Sequence, residues 1–122
     1  GADKFQEPDE VISLDNEGVI NFPGLKIKYQ HAPGHTAGSA IFDINETHLI
    51  SGDLLFAGAI GRTDLPTGSE AQMKETLRNI ILPKSNELVV LPGHGLQTTI
   101  GVERDRNPYL QSDYLGFSGE LL

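Results

Sequence analysis

The 122-residue chain has no cysteine, no tryptophan and one methionine, and it is short of positive charge, with nine lysines and arginines against seventeen aspartates and glutamates. Each shortage excludes something. Without cysteine there is no disulfide, no thiolate nucleophile and no sulfur ligand, so any metal must be held by nitrogen and oxygen donors, which favours histidine with aspartate or glutamate. The formal charge of −8 argues against nucleic acid and against an anionic membrane surface as partners. No apolar run approaches the ~18 residues of a membrane-spanning helix, and no charged-then-apolar leader opens the chain, so a soluble, cytoplasmic protein is expected. The single methionine, Met73, lies deep inside the chain. Gly1 therefore does not read as a natural start, and the chain is expected to be processed, tagged or cut from something longer.

What is present is punctuation. Fourteen glycines and seven prolines separate short apolar runs, and the length suits one hydrophobic core. Residues 1–10 read as a flexible lead-in and 11–122 as the ordered portion. "VISL" and "GVINF" flank the turn-forming Asp15-Asn16-Glu17-Gly18 and predict a hairpin. "LKIKYQH" alternates Leu25, Ile27 and Tyr29 with Lys26, Lys28 and Gln30, the period of a strand with one wet face. Pro33-Gly34 stops it, and "SAIFDI" and "HLISG" follow as strands around Asn45-Glu46-Thr47, so four or five strands precede any helix.

The glycine-rich stretch from Gly52 to Ser69 is too long for a plain connector, and ordered loops of that length are usually functional. Ser69 reads as a helix N-cap with Gln72 completing a capping box. The helix it opens runs from Glu70 to about Leu82, ends before Pro83, and sets Met73, Leu77, Ile80 and Ile81 on one side. "ELVVLPG" predicts a short buried strand, and a helix is expected from Ile100 to about Arg106, closed by Asn107-Pro108. The tail "SDYLGFSGELL" has weak patterning. No internal repeat is present.

Three residues of metal-ligand type occupy corresponding places. His35 follows a strand ending in Pro33-Gly34, Asp53 follows one ending in Ser51-Gly52, and His94 follows one ending in Pro92-Gly93. If those strands are neighbours in one sheet, the three side chains converge at one edge of it, and an imidazole, a carboxylate and an imidazole suit zinc, or iron in its two-histidine-one-carboxylate pattern. The glycine before each ligand removes a side chain where backbones crowd. Taken singly, each histidine reads as a hydrogen-bonded loop residue; the repeated pattern carries the metal reading. His31 is expected to pack at a strand end, because Pro33 and Gly34 prevent a helix that would align it with His35. His48 reads as a surface residue. Arg62 and Asp64 are either an exposed charged loop or a pair that braces the metal loop. Arg104 and Asp105 read as a solvated helix face, with Arg104 and Tyr109 also candidates for substrate contact.

At these residues the sequence resembles the metallo-β-lactamase superfamily and, within it, the glyoxalase II-like hydrolases. "HAPGHTAGS", "SGDLLFAGAIGRTDLPTGS" and "LPGHGLQTTIGVERDRNPYL" are similar to the family's second half in order and spacing, over most of Tyr29 to Gln111. The resemblance implies an α/β fold, the C-terminal part of an αββα sandwich: one mainly antiparallel sheet with two or more helices. It implies that His35 binds one metal, that Asp53 bridges two, and that His94 binds the second. The expected cofactor is zinc, two ions, with iron or manganese as alternatives. The implied activity is hydrolysis of a small-molecule thioester by hydroxide that a metal supplies at neutral pH.

The family's first motif, H-x-H-x-D-H, has no match here: no two histidines are separated by one residue and no Asp-His pair occurs. It is expected upstream of Gly1. With Asp53 shared, each ion would have two protein ligands, below the three usual for catalytic zinc. The chain alone is therefore expected to bind zinc weakly, to lack useful hydrolase activity, and either to self-associate through the sheet face left by the missing half or to be only marginally stable. Two other readings stand beside this one: a persulfide dioxygenase-like enzyme with one iron, in which His35 and Asp53 remain ligands and His94 does not, and a non-catalytic interaction module that keeps the fold.

Overall fold

A computed structural model describes residues 10–13 and 17–116; the expected lead-in, apart from Glu10, and the last six residues lie outside the described range. Among the described residues, seven strands come before the first helix. They are β1 (Glu10–Ser13), β2 (Glu17–Phe22), β3 (Leu25–His31), β4 (Ala40–Ile44), β5 (His48–Gly52) and the short pair β6 (Leu55–Phe56) and β7 (Ala59–Ile60). Helix α1 (Glu70–Thr76) continues as a wider π-helical stretch, Leu77–Ile81, followed by β8 (Val89–Pro92), β9 (Thr98–Thr99), α2 (Ile100–Arg106), a 3-10 turn (Pro108–Leu110) and α3 (Ser112–Leu115). None of these helices is long and apolar enough to cross a membrane.

The main sheet has the order β1-β2-β3-β4-β5-β8-β9, with β6 and β7 paired separately. Neighbours from β1 to β5 are antiparallel, β8 runs parallel to β5, and β9 returns antiparallel. The architecture is thus α/β with a mainly antiparallel sheet, as the resemblance implies. β3 and β5 are not neighbours, however, because β4 lies between them. Both are antiparallel to β4 and so run the same way, and β8 shares that direction, so the C-terminal ends of all three meet one sheet edge.

Cross-strand pairing sorts the side chains. Leu49 and Val90 share a face with Ile41, and this face is sealed by Met73, Leu77 and Ile81 from the helix to form the core. The predicted apolar stripe of that helix is the observed one. Two hydrogen-bonded caps hold the helices: Ser69 Oγ accepts from Gln72 N–H at 3.1 Å, and Thr99 Oγ1 from Val102 N–H at 3.2 Å. The capping box at Ser69 is only half formed, since the Ser69 N–H donates to the Gly34 carbonyl instead.

On the opposite face the rows Ile20–Ile27–Ile44 and Tyr29–Phe42–Ile50–Leu91 run across the sheet, with Phe42 and Ile50 exposed. The period-two pattern of β3 is therefore real, but its polar row is not simply wet. Lys28 and Gln30 line a cleft of about 350 Å³ on the helix side, together with Asp43 and Lys84. Burial pushes the Lys84 ammonium below its ordinary value, partly opposed by the Asp43 carboxylate.

Candidate metal centre

The turn that carries His35 is built by short-range bonds and then pinned to α1. Ala32 N–H donates to Ser39 O at 2.7 Å, and the Thr36 and Ser39 hydroxyls meet at 2.8 Å. The Thr76 hydroxyl donates to Pro33 O at 2.7 Å, while Ser69 N–H donates to Gly34 O at 2.9 Å. Gly34 has φ +147°, and a Cβ there would sit 2.6 Å from the Met73 Cα, so helix and turn touch backbone to backbone. Crowding also explains Gly93, where a Cβ would lie 2.9 Å from Asp53 Oδ1. At Gly52 it does not: the space is open, and a φ of +56° is the requirement.

Asp53 and His94 leave adjacent strand ends. The β5–β8 register slips between Ile50↔Leu91 and Gly52↔Pro92, and Gly93 N–H then donates to Gly52 O at 2.8 Å. Such an irregularity re-aims the residues that follow it. The Ser51 hydroxyl, buried, donates to Leu55 O at 2.8 Å and closes the turn around Asp53.

The three candidate ligands come together. His35 Nε2 lies 3.6 Å from Asp53 Oδ2, and His94 Nε2 lies 3.4 Å from Asp53 Oδ1, so one carboxylate presents a different oxygen to each imidazole. The two rings differ in burial: the His35 side chain is 17% exposed and that of His94 80%. His35 Nδ1 lies 2.8 Å from the main-chain carbonyl of Arg62. A carbonyl only accepts, so Nδ1 carries a proton and Nε2 is the ring nitrogen turned toward Asp53. Imidazole nitrogen and carboxylate oxygen facing each other are donors of the kind that suits zinc or iron. Among the described residues no three His, Cys, Asp or Glu side chains enclose one cation by themselves.

The remaining candidates fall elsewhere. Arg62 and Asp64 form an exposed two-pronged ion pair, Nε to Oδ1 at 2.6 Å and Nη2 to Oδ2 at 3.0 Å. What reaches His35 is the Arg62 carbonyl, so any bracing of the metal loop comes from the backbone rather than from the charged pair. Arg104 is not on a solvated face: its guanidinium donates to the carbonyls of Leu82 and Lys84 at 2.5 and 2.6 Å, just past the end of the π-helical stretch. Tyr109 packs edge-on against Tyr114, centroids 5.0 Å apart. His48 is exposed, and His31 Nε2 meets the Ala37 carbonyl across the His35 turn.

Residues not singled out in the sequence also belong to the site's surroundings. Phe56 sets its ring 5.9 Å from that of His94, and Gly61 lies against both Asp53 and His35. Glu103 and Asn107 are buried beneath the Asp53 and His94 segments. A signal for these two was available: Ile100, Glu103 and Asn107 follow i, i+3, i+7, which puts them on the core-facing side of α2.

Comparison with known proteins adds the family. A model of the metallo-beta-lactamase superfamily matches residues 2–94. Hydroxyacylglutathione hydrolase GloC of Haemophilus influenzae is 37% identical over 106 residues, which cover 86% of this chain and 50% of that protein. Among solved structures, BLEG-1 B3 metallo-beta-lactamase superposes with TM-score 0.73 and 41% identity over 80% of this chain and 47% of its own. ETHE1 of Myxococcus xanthus gives 0.68 and 26% over 93% and 46%, and a di-iron-bound form of TTHA1623 gives 0.65 and 34% over 87% and 47%. The chain spans about half the length of the curated relatives it matches. With the fold and the family model in agreement over most of its length, the chain belongs to the metallo-beta-lactamase superfamily.

Proposed function

We propose that this chain carries part of the metal site of a glyoxalase II-like hydrolase that cleaves small-molecule thioesters, that an upstream segment supplies the remaining ligands, and that the chain alone is inactive. The observation that carries the reading is the placement of the Asp53 carboxylate, one oxygen toward each imidazole. The similarity to GloC supports the choice of a thioester. His35, Asp53 and His94 would hold the metal, which would supply hydroxide near neutral pH and polarise the scissile carbonyl. The chain's own residues do the rest. Asp53 offsets positive charge on both sides, and the Arg62 carbonyl fixes the His35 tautomer so that Nε2 faces inward. With no cysteine, this chain offers no thiol nucleophile. The exposed Arg62–Asp64 loop, joined to the site through that carbonyl, is the surface we assign to the thiol carrier.

A mononuclear, persulfide dioxygenase-like enzyme is the second reading, favoured by the high exposure of His94 and by likeness to ETHE1. Metal analysis of the full-length protein, paired with a thiol-release assay on acyl thioesters, separates the two. Two ions with thioester turnover, both reduced in His94→Ala, support the hydrolase. One iron, unchanged in His94→Ala and without turnover, sinks it.

A further inference from the structure

Among the described residues, one carboxylate outside the three-residue centre is buried. Glu103 is 2% exposed, and both of its oxygens are engaged. Oε1 accepts from the Gly58 N–H at 2.8 Å and from Asn107 Nδ2 at 3.0 Å, and Oε2 accepts from the Thr98 hydroxyl at 2.7 Å. Asn107, fully buried, also donates to the carbonyls of Phe56 and Ala59 at 3.3 and 3.1 Å. A carboxylate leaves water only where such donors replace it, so this arrangement is specific rather than incidental.

Its partners belong to two segments. Phe56, Gly58 and Ala59 form the β6–β7 hairpin, which begins two residues after Asp53, and Thr98 lies four residues after His94. One side chain therefore ties the chain leaving Asp53 to the chain leaving His94. From the tied hairpin, Phe56 lays its ring against the His94 imidazole at 5.9 Å between centroids and 32° between planes. His94, mostly in solvent, takes its direction from Phe56 on one side and Asp53 on the other.

We propose that Glu103 and Asn107 are positioning residues that hold His94 in register with Asp53, through the Phe56 hairpin and Thr98, and thereby set whether a second cation shares the Asp53 carboxylate. The inference rests on the reading of His35, Asp53 and His94 as metal ligands. Glu103→Gln keeps the shape but puts an NH₂ where an acceptor stood. Thr98→Val is isosteric and removes one bond, which covers the case in which the first variant does not fold.

The test uses the full-length protein. In its metal-free form at pH 8, histidine-ring NMR of Glu103→Gln and Thr98→Val is expected to show displaced His94 resonances and unmoved His35 resonances. Zinc titration is expected to show the second ion bound about 10–100-fold more weakly, the range for lost outer partners of a ligand, with the first ion unchanged. Arg78→Met, which breaks a bond to the Leu115 carbonyl, controls for destabilisation alone and should leave the His94 signals in place. Unmoved His94 resonances in both variants overturn the proposal, whatever happens to the thermal midpoint. A wild-type protein that takes up one ion defeats the two-metal reading instead, and the metal-free spectra still decide whether Glu103 positions His94.

Discussion

His35 donates through Nδ1 to the Arg62 carbonyl, joining two segments 27 residues apart and leaving Nε2 to face Asp53. The contact requires the chain before Arg62 to pass hard against the site. Gly61 is where it does so: a Cβ there would fall 1.8 Å from the Asp53 carbonyl oxygen and 3.0 Å from His35 Nδ1. Because the first clash is with backbone, no rotamer change relieves it. Gly61→Ala is expected to destabilise by about 1–3 kcal/mol, the usual cost of overpacking, and to weaken zinc binding as well. Urea unfolding followed by calorimetric titration checks both.

Asp53 faces both imidazoles, so variants of the three candidate ligands are expected to be unequal. Asp53→Asn keeps the shape and removes the charge that both imidazoles face, so it is expected to weaken zinc binding more than His35→Ala or His94→Ala. Titration of the chain itself measures this. Equal losses in all three variants would sink the bridging role of Asp53.

Both capped helices offer a calibrated loss. Ser69→Ala and Thr99→Ala each remove one side-chain acceptor from a helix N-terminus, at 3.1 and 3.2 Å, and each is expected to cost about 1 kcal/mol. Ser69→Ala leaves the Ser69 N–H bond to Gly34 intact, so the His35 turn should stay in place. Urea midpoints give the losses, and the His35 NMR signals report the turn.

Lys84 makes stability depend on alkaline pH. Burial lowers its folded pKa below 10.5, so between the folded value and 10.5 the unfolded chain binds more protons than the folded one. Stability therefore rises with pH across that window and levels off above it. Lys84→Met is expected to raise the unfolding midpoint at neutral pH and to abolish the rise, as chemical unfolding at a series of pH values would show.

Phe42 and Ile50 pair across β4 and β5 on the uncovered sheet face. An exposed apolar patch of this kind favours association, so the chain by itself is expected to sediment as a concentration-dependent oligomer. Ile50→Lys should shift it to the monomer. A wild-type monomer with a sharp, high thermal transition would count against this.

Much of the fold could be read locally. β3 is the run Leu25–His31, and α2 is Ile100–Arg106, because alternation, Pro-Gly stops and Ser/Thr caps act on adjacent residues. The β6–β7 hairpin inside the long glycine-rich stretch was missed. Its strands are two residues each, too short for periodicity to register, and part of its support comes from Glu103 and Asn107 far along the chain. Arg104 was assigned to solvent for a related reason. On a short helix its charge looks exposed, and only the Leu82 and Lys84 carbonyls, 22 and 20 residues earlier in the chain, give it an inward partner.

The sequence by itself determined the three ligand-type residues and their place after strand ends, since side-chain identity and turn chemistry are local properties. Only the tertiary structure decided that β3, β5 and β8 open onto one edge and that Asp53 divides its oxygens between two imidazoles. It also decided that a backbone carbonyl, rather than the Arg62–Asp64 pair, orients His35. Those outcomes depend on strand direction, on a slip in register and on contacts between segments tens of residues apart, and no local pattern encodes them.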